Sequence, residues 1–135
     1  MQRFTDKVVL VTGAGSGIGK ASALRIAAEG GSVFCVDLNA EAVEATAAQI
    51  AEDGGEATAR ACDVSNEVSV QERVQACVER YGSLYGLVNM AGILRFDDTQ
   101  ELETGHWQKV IDINLTGTMF LCRAALPHLV QTKGS

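Results

Sequence analysis

Residues 7–19 read KVVLVTGAGSGIG, and this stretch decides the architecture. Lys7 to Thr12 is a short, β-branched, nearly continuous apolar run, the pattern of a parallel strand covered on both faces. The turn TGAGSGIG, Thr12 to Gly19, follows at once. From Gly17 to Glu29 the repeat becomes helical, with Ala21, Leu24 and Ala28 as its apolar stripe and Gly30-Gly31 as its left-handed stop. The glycines are spaced G-x-x-x-G-x-G through Gly13, Gly17 and Gly19. They do not follow G-x-G-x-x-G, because Ile18 stands where Gly13 and Gly15 would demand the third glycine. The physics of the two spacings is shared. Glycine lets the chain turn tightly and approach a pyrophosphate, whose charge meets free N–H groups and the positive end of the helix. Any tight strand-to-helix turn can use glycine, but three spaced glycines with Thr12 and Ser16 favour a nucleotide. The residues expected to hold it are Gly13, Gly15, Ser16, Gly17, Ile18 and Gly19.

Outward from the turn the alternation repeats. Ser32 to Asp37 is a second strand, Val43, Ala47 and Ile50 stripe a second helix, and Gly54-Gly55 close it. Glu56 to Ala61 reads as a weaker third strand. Val70, Val74, Cys77, Val78 and Tyr81 mark a third helix capped by Ser65 or Asn66, and Leu87 to Met90 is the fourth strand. A loop from Ala91 to about Glu101 leads to a long helical region, Glu103 to Thr132, expected to be interrupted at Pro127 by a kink. Strands alternating with helices predict a Rossmann-type, doubly wound parallel sheet. The expected form is one three-layer αβα domain spanning 1–135, with strand order 3-2-1-4 and its ligand at the carboxyl ends of the strands.

The chain's 135 residues are 47% hydrophobic and 21% charged, enough for one globular domain with its own core. A net charge of -6 with only 11 scattered basic residues argues against nucleic acid and anionic membranes as partners. Cys35, Cys62, Cys77 and Cys122 lack C-x-x-C or metal-ligand spacing and are expected as buried, reduced thiols. The opening residues lack a signal-peptide layout, and no apolar run reaches the roughly 20 residues of a membrane span, so a cytoplasmic location is expected. His106 and His128 have no partner at metal or triad spacing, and no metal site is expected.

Asp37 ends the second strand near the distance of about 20 residues at which an acidic side chain accepts hydrogen bonds from an adenosine ribose. Its neighbour is Leu38, not arginine. A 2′-phosphate about 4 Å from that carboxylate would be repelled by roughly 4 kcal/mol at an effective dielectric of 20, nearly three decades in affinity. NAD is therefore expected over NADP.

Taken in order, TGAGSGIG, Cys62-Asp63-Val64, Asn89-Met90-Ala91-Gly92 and Ile113-Asn114 resemble the short-chain dehydrogenase/reductase family over the whole chain. The resemblance implies an oxidoreductase moving hydride between NAD(H) and an alcohol or ketone. It implies that Asp63 bonds the adenine amino group beside Val64, and that Asn89, Ala91 and Gly92 line the ribose and nicotinamide end. Asn114 matches the asparagine of the family's Asn-Ser-Tyr-Lys catalytic tetrad. The family's second asparagine is replaced by Met90. From the residues alone, Asp63 is equally a helix-entry turn residue, Asn89 a group that satisfies strand-end backbone, and Asn114 a helix cap or kink.

The family's serine, tyrosine and lysine fall beyond Ser135, so this chain is expected to bind cofactor yet be inactive alone. Self-association, as a dimer or tetramer, is expected through Glu103 to Thr132. A non-catalytic nucleotide-binding or interaction module with the same fold is the second reading. An S-adenosylmethionine-binding methyltransferase is the third.

Overall fold

Alternation along the first strand divides the core in two. In the computed structural model, which describes residues 1–135, Val8 and Leu10 of β1 (Val8–Thr12) pack on one face and Val9 and Val11 on the other. The second strand, β2 (Ser32–Asp37), repeats the division: Phe34 and Val36 join the first face, Val33 and Cys35 the second. All eight of these side chains are buried. Each fully buried valine, leucine or phenylalanine contributes about 1.5–3 kcal/mol, so the two central strands carry much of the stability.

Two helices cover the second face: α1 (Gly17–Ala28), through Ala23, Ile26 and Ala27, and α2 (Ala40–Glu52), through Val43 and Ile50. The first face is covered by α3 (Glu67–Tyr81), through Val70, Val74 and Cys77, and by α5 (Gly117–Thr132), through Leu121 and Ala125. With β3 (Glu56–Ala61) and β4 (Gly86–Val88), the sheet runs β3-β2-β1-β4, all parallel. The three-layer order expected from the sequence is the one observed. The helix starts follow local chemistry: Asn39 accepts the Ala42 N–H at 3.0 Å, and Asn66, not Ser65, accepts the Ser69 N–H at 3.0 Å.

Four details differ from expectation. The buried stripe of α1 is Gly19, Ala23, Ile26 and Ala27, while Ala21 and Ala28 are exposed. The fourth strand stops at Val88, not Met90, because the Met90 and Ala91 amides both turn to the Thr12 hydroxyl, each at 3.0 Å, and leave the ladder. The long helical region is interrupted by a π-helical segment, Asp112–Thr116, between α4 (Thr104–Ile111) and α5, and α5 runs through Pro127. Cys122 is exposed, unlike the other three cysteines.

On its free edge, β4 meets the last residue. Ser135 donates its N–H to Tyr85 and accepts from the Leu87 N–H, both at 2.9 Å. No helix is long and apolar enough to cross a membrane.

Candidate functional site: a cleft at the carboxyl ends of the strands

Parallel strands end together, and here their carboxyl ends surround a cleft of about 750 Å³ between the turns that leave β1, β2, β3 and β4. The β1–α1 turn forms its floor. Gly13 adopts a φ of +63°, and a β-carbon there would lie 2.7 Å from the Met90 carbonyl oxygen, so the two turns can touch only because residue 13 is glycine. Ala14 donates its N–H to the Val36 carbonyl and Gly15 donates to Asp37 Oδ2, at 3.1 and 2.9 Å.

The next four residues behave differently. The amides of Ser16, Gly17, Ile18 and Gly19 have no hydrogen-bond partner within the chain, and the Ser16 side chain makes no cap. These are the orphan donors of a helix start, at the positive end of α1, and all four residues line the cleft. Such an array fits a diphosphate.

The β2–α2 turn supplies the acidic wall. Asp37 and Leu38 line the cleft with Asn39. The Asp37 carboxylate accepts the Gly15 N–H through Oδ2 and the Asn39 N–H through Oδ1, at 2.9 and 3.0 Å. Each oxygen retains accepting capacity for a ribose hydroxyl. No arginine or lysine lines the cleft.

After β3 come Asp63 and Val64, both in the wall. Asp63 Oδ1 accepts from the Ser65 amide and hydroxyl, at 3.0 and 2.6 Å, so it is a turn residue as well as a cleft residue. Past β4, Ala91 and Gly92 line the opposite end with Met90, whose side chain takes the place of the asparagine usual in the pattern.

Three expected residues stand apart. Gly15 lies behind the wall, its amide committed to Asp37. The Asn89 side chain turns to Cys122 Sγ on α5, 3.6 Å away. Asn114, in the π-helical segment, clamps the Ile93 peptide: Oδ1 accepts the N–H and Nδ2 donates to the carbonyl, both at 2.8 Å. Its own carbonyl accepts the Thr118 hydroxyl at 3.0 Å. The segment thus fixes the loop that carries Ala91 and Gly92, consistent with π-helical turns occurring at functional sites.

The sequence did not nominate Asn39, Cys62, Met90, Ile93 or Ile113, which also line the wall. They arrive from the turns after β2, β3 and β4 and from the π-helical segment; Cys62, Met90 and Ile113 stand within the motif stretches, whereas Asn39 and Ile93 carried no signal. The buried thiols are chemically quiet. Burial pushes Cys35 and Cys77 up to about 12, and Cys62 is raised in the same way.

The fold and the cleft define a dinucleotide-type αβα domain, and the comparisons specify which. Residues 7–135 match the short chain dehydrogenase family, and the chain belongs to it, a family of nicotinamide-dependent oxidoreductases. It is 42% identical over 132 residues to D-threitol dehydrogenase of Mycolicibacterium smegmatis, covering 98% of this chain and 51% of that protein. To the 3beta-hydroxysteroid dehydrogenase of Mediterraneibacter gnavus it is 44% identical over 135 residues, covering 99% and 49%. The solved citronellol catabolism dehydrogenase of Pseudomonas aeruginosa PAO1 superposes with a TM-score of 0.88 at 33% identity, over 93% of this chain and 52% of that one. The chain spans about half the length of the relatives it matches.

Proposed function

We propose that this chain is the cofactor-holding half of an NAD(H)-dependent alcohol or ketone oxidoreductase. The observation that carries the reading is the set of four unpartnered amides, Ser16 to Gly19, facing a cleft whose far wall bears the Asp37 carboxylate. The amides at the start of α1 would hold the diphosphate, and the Asp37 carboxylate would accept from the adenosine ribose hydroxyls. Leu38, Asp63 and Val64 would hold the adenine, and Ala91 and Gly92 the nicotinamide end. Once bound, the nicotinamide supplies the hydride acceptor or donor.

Asn89 and Asn114 serve from outside the wall. Asn89 ties the end of β4 to α5, and Asn114 holds Ile93, so both position the turn that carries Ala91 and Gly92. Gly15 acts through its bond to Asp37.

Substrate belongs to the class of small alcohols and ketones, in keeping with the threitol, hydroxysteroid and citronellol named for the relatives. Three buried free thiols support a reducing, cytoplasmic setting. Trp107, Leu115, Leu126 and Val130, all exposed on α4, α5 and the segment between them, support a homo-oligomer through residues 103–132.

Fluorescence titration with NADH and NADPH tests the cofactor assignment. NADH is expected to bind at least tenfold tighter than NADPH, and Asp37→Asn should narrow that ratio, since it removes the charge while keeping an acceptor for the Gly15 amide. Tighter binding of NADPH to the unaltered chain would show the assignment to be wrong. Asp37→Ala is the poorer control, because it also frees the glycine turn.

A further inference from the structure

Thr46 lies on α2, outside the cleft wall, and its side chain is fully buried. Its hydroxyl stands 2.9 Å from the Ala14 carbonyl oxygen, in the glycine turn, and 3.2 Å from the Ala42 carbonyl oxygen, one helical turn back. A hydroxyl has one proton, so the two acceptors compete. The Ala42 carbonyl lies within α2, where the ladder already supplies a donor, whereas the Ala14 carbonyl has no other hydrogen-bond partner. Ala14 is itself fully buried, out of reach of water. The proton therefore belongs to Ala14.

From this contact we propose that Thr46 is a positioning residue for the diphosphate-binding turn. The backbone of Ala14 is held from both ends, its N–H by Val36 of β2 and its carbonyl by Thr46 of α2. Gly15 is held next, by Asp37. Only then do the four free amides begin. Both N–H groups of these two consecutive residues and the Ala14 carbonyl are bonded to the β2–α2 unit, which fixes the direction in which the following N–H groups point. Removing the Thr46 hydroxyl leaves a buried carbonyl without a donor, and the turn must shift to find one. The α2 helix thus acts as a brace behind the turn, joining the ribose-binding strand end to the anion-binding helix start. The role rests on the reading of the cleft as a dinucleotide site.

Three variants separate the hydroxyl from the packing. Thr46→Val keeps the shape and loses the hydroxyl; Thr46→Ser and Thr46→Ala both lose the methyl and differ from each other by one oxygen. Each is titrated with NADH by fluorescence, with thermal denaturation recorded alongside. Thr46→Ser should bind within about threefold of the unaltered chain, and Thr46→Ala and Thr46→Val about tenfold more weakly, the size of one neutral hydrogen bond. The Ser and Ala pair decides the matter even where Thr46→Val does not fold. Equal NADH affinity for Thr46→Ser and Thr46→Ala overturns the proposal while leaving the cofactor reading standing. Failure of the unaltered chain to bind NADH overturns the cofactor reading and this proposal with it.

Discussion

Gly19 is buried where α1 begins, and a β-carbon placed on it would lie 2.1 Å from the Gly13 carbonyl oxygen. That contact is with backbone, so Gly19→Ala must push the helix start away from the end of β1. The substitution should weaken NADH binding at least tenfold and cost about 1–3 kcal/mol of stability, the usual cost of forcing atoms into a packed site. Titration and denaturant unfolding check the two parts. An alanine variant with unchanged affinity would mean that the close packing of turn and helix is not what shapes the site. This residue was legible in the sequence because the spacing of Gly13, Gly17 and Gly19 encodes a steric need. The place of Asp37 in the cleft was legible for a related reason, since the end of the second strand borders the crevice at the carboxyl ends of the sheet. Thr46 was not. A threonine in a helix reads the same whether its hydroxyl back-bonds to its own turn or reaches a loop thirty-odd residues away, and only the tertiary structure distinguishes the two. The outward turn of Asn89 toward Cys122 was hidden likewise, because a motif fixes a residue's place and not the direction of its side chain.

Among the elements, the period of apolar residues located every strand and most of every helix, yet it misjudged the rotation of α1. Ala21, Ala23, Ala27 and Ala28 surround that helix with the same small side chain, so the sequence holds little phase information, and burial of Ile26 sets the rotation instead. The π-helical segment at Asp112–Thr116 was read as continuous helix for a similar reason, since one extra residue in a turn leaves no mark in composition. The last residue of α1's neighbourhood carries a different message. Glu29 is buried, and hydrogen bonds from Arg3 first and Arg25 second hold its carboxyl down at about 2, far below the ordinary 4.5. It joins the N-terminal segment to the end of α1. Because the folded value is depressed, this stabilisation is full above about 4.5 and is lost as the pH falls toward 2. Thermal denaturation between those limits should show the melting temperature of the unaltered chain falling more steeply than that of Glu29→Gln. Parallel curves for the two would mean that the pair adds no stability to the fold.

Taken as a whole, the molecule is a four-stranded sheet covered on both faces, with its cleft at one end and about half the length of its relatives. Fold class, strand order and the location of the cleft were readable from alternation and glycine spacing, because these reflect local sterics and the handedness of crossovers. The part of the lining formed by Asn39, Cys62, Met90, Ile93 and Ile113 was not, since these residues come together only when the turns after three strands and the π-helical segment surround one cleft. Cofactor binding depends above all on the free amides from Ser16 to Gly19, which are expected to grip a diphosphate. A crystal structure of the chain grown with saturating NAD tests it most directly. Diphosphate oxygens should lie about 2.7–3.2 Å from amides at the start of α1, with ribose hydroxyls on the Asp37 carboxylate. A dinucleotide bound elsewhere, or those amides turned inward onto other groups of the chain beside an empty cleft, would contradict it.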